Sequence, residues 1–255
     1  MESGVFMLIS ASTGCWPGMS FRELIEILYD LEFSAVEIDL HEEGGAIKPS
    51  ELIADPDRAI HTLRAGHRLD IVAFSLQLAS TGSQHYADFA EICKIAKLTK
   101  VVTITVPSAE LGTPFNEEVE HLKRLVEIAE VEGARVGVKT ELGRLSEDPD
   151  TLMVLCNNIK GLGITLDPSV FIVGPAKQKS LDKIIKFVYH VHLRDTKPDK
   201  FQVSVGQGTV DYAKLISQLG REKYDRALSI HIAPMEGLEH RVELRKLRRL
   251  LETLL

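Results

Sequence analysis

A chain of 255 residues with 44% hydrophobic but only 6% aromatic side chains can build a large core, mainly from Leu, Ile, Val and Ala, as a buried parallel sheet under helices does. Its formal charge of −7 opposes attraction to nucleic-acid backbones, and the basic cluster from Arg241 to Arg249 has Glu and Leu interleaved, as on a solvated helix face. Cys15, Cys93 and Cys156 suit neither a disulfide framework nor a Cys-x-x-Cys metal motif, and no apolar run reaches a membrane span, so a soluble protein of a reducing, cytoplasmic setting is expected.

Along the chain, short β-rich runs bounded by Gly, Pro, Asp or Ser alternate with longer stretches of helical period. Strands are predicted at Val5 to Ser10, Ala35 to Leu40, Ile71 to Gln77, Val101 to Val106, Arg135 to Glu141, Gly163 to Asp167, Val188 to Leu193 and Ala227 to His231. The first of these is too short for the core of a secretion signal and has no basic segment before it. Between the strands, Ser20-Phe-Arg-Glu23 reads as a capping box. Asp55-Pro56 and Asp148-Pro149 each place an N-cap before a proline at the first helical position, and Gly66 and Gly133 fit the residue after a helix end. Eight such βα pairs with no linker between them predict a single (β/α)₈ TIM barrel domain over residues 1–255. An open dinucleotide-binding sheet would instead need Gly-x-Gly-x-x-Gly after its first strand, where the chain has Ser12-Thr-Gly-Cys-Trp-Pro-Gly18.

Functional side chains of such barrels gather at the C-terminal strand ends. The last four strands close as Val138-Lys-Thr-Glu141, Ile164-Thr-Leu-Asp167, His190-Val-His192-Leu-Arg-Asp195 and Leu228-Ser-Ile-His231. Glu141, Asp167, His192 and His231 thus offer two carboxylates and two imidazoles on consecutive strands, a donor set for a divalent ion, and Glu141 and His231 are also the candidate proton-transfer residues. Lys139 points to the same side as Glu141, one layer deeper, where an ammonium has to be paired or neutralised. It is either an ion-pair partner of Glu37 or Glu141, or a proton donor or amine nucleophile. His190, one layer below His192, is expected to be a buried supporting residue.

These stretches, together with Phe33-Ser-Ala-Val-Glu37-Ile and Gly206-Gln-Gly208-Thr-Val-Asp211-Tyr, resemble the xylose isomerase-like barrels over nearly the whole chain. That family includes sugar phosphate isomerases and epimerases, inosose dehydratases and the endonuclease IV nucleases. The resemblance implies a small sugar or sugar phosphate substrate and a metal held by a Glu, an Asp, a His and a second Glu. These map onto Glu141, Asp167, His192 and the position of His231. Two positions depart: His231 replaces the usual second Glu, and Val170 stands where a His often follows the Asp. The first departure removes one of two carboxylates that exchange protons on opposite faces of a sugar carbon. Two imidazoles also shift the expected metal towards Mn²⁺, Co²⁺ or Zn²⁺ and away from Mg²⁺.

The Gly206-Gln-Gly208 turn resembles the family loop that lies over the substrate. Gly206 and Gly208, with Glu37, Trp16 and Arg194, are therefore the candidate substrate-binding residues. The expected function is a metal-dependent isomerase or epimerase of a sugar, sugar phosphate or related polyol acting through an ene-diolate; the alternative is a catalytically impaired carbohydrate-binding or regulatory barrel. A nuclease like endonuclease IV is disfavoured, because its trinuclear site needs His on strands three and four, where this chain has Ser75-Leu-Gln77 and Thr105-Val-Pro107. No nucleic-acid or membrane partner is expected, and homo-oligomerisation stays open.

Overall fold

Successive side chains of a strand point to opposite faces, and here one face of each strand is aliphatic while the other is small or polar. Only a sheet closed on itself and wrapped by helices buries both. The computed structural model describes residues 6–65, 69–177 and 179–255. Its strands β1 (Leu8–Ser12), β2 (Ala35–His41), β3 (Asp70–Gln77), β4 (Thr103–Pro107), β5 (Arg135–Lys139), β6 (Leu162–Leu166), β7 (Val188–Leu193) and β8 (Ala227–Ile230) pair in chain order as a closed parallel barrel. The seam is β1 on β8, in register from Leu8 with Ala227 to Ala11 with Ile230.

Nine α-helices surround the barrel among the described residues: α1 (Phe21–Asp30), α2 (Pro49–Ala54), α3 (Pro56–Ala65), α4 (Gly82–Leu98), α5 (Phe115–Val131), α6 (Pro149–Asn158), the single turn α7 (Val170–Val173), α8 (Tyr212–Arg221) and α9 (His240–Glu252). Their starts follow the expected chemistry. Ser20 accepts from the Glu23 N–H while the Glu23 carboxylate accepts from the Ser20 N–H, completing the capping box of α1. Asp55 and Asp148 accept from the N–H groups of Arg58 and Asp150. Gly133, at φ +74°, follows the end of α5 in the left-handed conformation that stops a helix. Gly66 lies outside the described residues. α5 buries Leu122, Leu125, Val126 and Ala129, a spacing that puts all four on one helix face.

β1 runs Leu8–Ser12, later than the predicted Val5 to Ser10, and Val5 lies outside the described residues. Apolar patterning misplaces this strand because its interior positions are Ser10 and Ser12, both fully buried. Glu141, Asp167 and His231 lie just beyond β5, β6 and β8 rather than within them. The three cysteines are buried and unbridged, as expected.

The barrel interior is polar where large aliphatic side chains are usual. Buried Ser10, Ser12, Thr103, Thr105, Thr165 and Ser229 surround Glu37, His190 and His192. Burying such groups is costly unless they are paired. Thr105 and Thr165 bridge their hydroxyls at 2.7 Å, and a Cβ on Gly137 would come within 2.7 Å of that same Thr165 Oγ1. No described helix is long and apolar enough to cross a membrane.

Candidate active site at the barrel mouth

A cavity of about 300 Å³ opens at the C-terminal ends of the strands. Strand alternation brings its walls together. Glu37, Asp39 and His41 share one face of β2, and the latter two reach the cavity beside Ser75 and Gln77 of β3, Thr105 of β4, Lys139, Glu141 and His231.

Below this floor, Glu37 Oε2 accepts hydrogen bonds from His190 Nε2 at 2.5 Å and His192 Nε2 at 2.7 Å, all three residues being buried. Burial alone would raise the Glu37 pKa, but the charges and hydrogen bonds of His192 and His190 outweigh it and hold the carboxyl well below its usual value. Burial lowers the pKa of His190 against the pull of Glu37. His192 turns its Nδ1 to His231 Nδ1 at 3.3 Å, with the two rings perpendicular and their centroids 4.7 Å apart. His231 is held well below its usual pKa, first by burial and then by the nearby His192, Arg194 and Lys139.

The expected metal quartet is brought together in part. His192 and His231 touch, and 3.3 Å between two nitrogens suits adjacent ligands of one ion with bonds of about 2.0–2.1 Å. Glu141 lines the same cavity as His231 but faces cations, with Oε1 3.5 Å from Lys139 Nζ and Oε2 3.0 Å from Arg144 Nε. Asp167 is buried, accepts from Arg194 Nε at 2.9 Å and the Ser169 N–H at 3.0 Å, and its own N–H donates to Thr140 Oγ1. The imidazole pair offers two adjacent nitrogens, whereas both carboxylates are engaged by cations. Glu37, His190 and His192 also bring ligand atoms within 4.8 Å of one another. Their contacts of 2.5 and 2.7 Å are hydrogen bonds between the side chains, and among the described residues these three form the group whose spacing could hold an ion.

The residues expected at the substrate are distributed differently. Glu37 is fully buried against the two histidines and does not line the cavity. Trp16 is buried and packs edge-on against His240 at 4.8 Å, while its neighbour Pro17 lines the cavity. Arg194 is spent on Asp167 and stacks on Phe201. The N–H groups of Gly206 and Gly208 both donate to Asp195 Oδ2, at 2.8 and 2.9 Å, and a Cβ on Gly208 would overlap that carboxylate. The glycines thus wrap the loop around an internal anion. Lys139 makes the ion pair with Glu141 that is one of its two expected readings.

Asp39 and His41 are the cavity residues that motif reading misses. Their parity with Glu37 along Val36-Glu-Ile-Asp-Leu-His41 was the available signal. The Asp39 pKa is raised, chiefly by burial and then by the charge of Glu37, against smaller lowering by Lys139, His41 and a Ser75 hydrogen bond.

The sequence profile of the xylose isomerase-like TIM barrel family matches residues 25–252. Comparison with proteins of curated function gives no match. Among solved structures, a D-tagatose 3-epimerase-like protein superimposes with a TM-score of 0.74 at 18% identity, over 97% of this chain and 98% of that one. A xylose isomerase-like TIM barrel protein from Mycobacterium smegmatis, in complex with magnesium, gives 0.76 at 14% identity over 100% of both chains. The IOLI protein with a bound zinc atom gives 0.73 at 14% identity, over 97% of this chain and 98% of that one. At such identities the likeness is one of fold.

Proposed function

Because the chain belongs to the xylose isomerase-like TIM barrel family, we propose that it is an isomerase or epimerase that moves a proton on a sugar or related polyol through an ene-diolate. The observation that carries this reading is the cavity itself, where Glu141, Lys139 and His231 converge from β5 and β8. Glu141 takes the proton from the carbon beside the substrate carbonyl, and Lys139, next to it, donates a hydrogen bond to the oxygen that gains charge. His231 fixes a hydroxyl or exchanges the second proton. The lining carries Asp39, Glu43 and Glu141 against one lysine, which favours an unphosphorylated sugar over a sugar phosphate.

His192 and His231 would hold a divalent ion, completed by Glu141 and Asp167, and the imidazole pair favours Mn²⁺, Co²⁺ or Zn²⁺ over Mg²⁺. Such an ion supplies Lewis-acid polarisation of the carbonyl and its neighbouring hydroxyl. Incubating the protein with a panel of free and phosphorylated sugars in deuterated water, each with Mn²⁺, Co²⁺, Zn²⁺ or Mg²⁺, tests the reading by NMR. Deuterium appearing at the carbon beside the carbonyl supports the enzyme. Sugar binding without any exchange assigns the barrel to carbohydrate sensing instead.

A further inference from the structure

Proton transfer on both faces of a carbon needs two groups on opposite walls, and β8 here carries His231 where a second carboxylate is expected. The cavity nevertheless holds a second buried-side carboxylate, on a different strand. Asp39 of β2 and Glu141 beyond β5 line it from separate walls. We propose that Asp39 is the second proton-transferring carboxylate of this site, acting on the substrate face opposite to Glu141; the assignment rests on the isomerase or epimerase reading above.

Three features of the structure put Asp39 to this use. Its main-chain N–H donates to Thr13 Oγ1 at 2.8 Å, which ties β2 to the turn after β1, and it pairs in register with Ser75. The next residue of that turn is Gly14. A Cβ there would lie 3.3 Å from Asp39 Cγ and 3.2 Å from His231 Nε2, so a glycine keeps the space beside the carboxyl and the imidazole open. The two carboxyls also have unlike surroundings: Glu141 stands between Lys139 and Arg144, whereas Asp39 lies in β2 beside Ser75 and two positions from buried Glu37.

The protons balance. The Glu141 carboxylate takes the proton from carbon and becomes neutral, leaving the ene-diolate. Protonated Asp39 gives its proton to the opposite face and becomes a carboxylate. Exchange with solvent returns one proton to Asp39 and removes one from Glu141, and no oxidant or co-reactant is consumed.

The test compares wild type, Asp39→Asn, Asp39→Glu and Glu141→Gln on the turned-over sugar in deuterated water, reading product formation and deuterium wash-in to recovered substrate separately, with circular dichroism to verify folding. Asp39→Asn should lower product formation about 100-fold or more while recovered substrate still gains deuterium through Glu141. Asp39→Glu should recover part of the product formation, and Glu141→Gln should lose wash-in and product together. Equal loss of both readouts in a folded Asp39→Asn, or loss of neither, overturns the role of Asp39 alone. A wild type inert towards every sugar overturns the isomerase or epimerase reading, and the role of Asp39 with it.

Discussion

Glu37 Oε2 lies 2.7 Å from His192 Nε2, so a carboxylate sealed inside the barrel fixes the ring whose Nδ1 turns towards His231. Glu37→Gln removes the charge and confronts two N–H donors with an amide. We expect a loss of about 3 kcal/mol or more in urea unfolding, as when one partner of a buried pair is removed. Affinity for Zn²⁺ at His192 and His231 should fall about 10- to 100-fold in calorimetric titration. Wild-type values for both would show that Glu37 does not orient the ring.

Gly14→Ala tests the gap between Asp39 and His231. The added methyl meets side-chain atoms at 3.2 and 3.3 Å, contacts that small shifts can relieve, so stability should change by no more than about 1 kcal/mol. Turnover should fall at least about 10-fold, because displacement of reacting groups by a fraction of an ångström is costly. An unaltered kcat would place the reacting carbon elsewhere.

The loop after β7 depends on Asp195, which accepts from the N–H groups of Thr196, Gly206 and Gly208. Gly208→Ala forces a side chain into that carboxylate, and Asp195→Ala leaves the donors unpaired. Each should open the loop to limited proteolysis near Gln207. The double variant should be much less destabilised than the sum of the two, since both break one arrangement. Additive losses would mean that the loop is ordered by something else.

Acid should destabilise the fold in two stages. His190 and His231 have folded pKa values below the ordinary 6.5, as does His121, lowered by burial and His85 to about 4. Below about pH 6.5 the unfolded chain therefore binds more protons than the native one, and stability falls with pH. Glu37, whose folded value is depressed, contributes stability above its unfolded value that is lost as pH falls from about 4.5 towards the folded value. The raised carboxyls of Asp39 and Glu118 act in the opposite sense, from about pH 4 up to their folded values. The thermal midpoint should hold between about pH 7 and 8 and decline below about 6.5. His121→Gln should make that decline shallower; an unchanged slope would exclude His121 as a contributor.

How far the sequence discloses the site depends on which face of a strand carries the signal. β7 is legible to both ends, Val188–Leu193, and the polar partners of its alternation, His190 and His192, are the two imidazoles on Glu37. β1 is misplaced because its inward residues are serines, which apolar periodicity cannot see. Strand-end reading finds Glu141 and His231 but passes over Asp39, which is embedded in a β2 run whose Val36, Ile38 and Leu40 dominate the pattern. Pairings between neighbouring strand ends, such as Arg194 with Asp167, or within the long loop after β7, such as Gly208 with Asp195, have no local signature.

The seam between β1 and β8 joins positions more than two hundred residues apart, as in Ile9 with Leu228. Contacts at such separation form only after most of the chain-closure entropy has been spent, which places them late in folding. Gly14, from the turn after β1, and His231, just past β8, meet across that seam. A nascent or partly folded chain can thus have most of its helices and strands in place and still lack the meeting of Gly14 with His231. Recovery of sugar binding during refolding should lag behind recovery of helical signal, and activity becomes a clock for the closing of the ring.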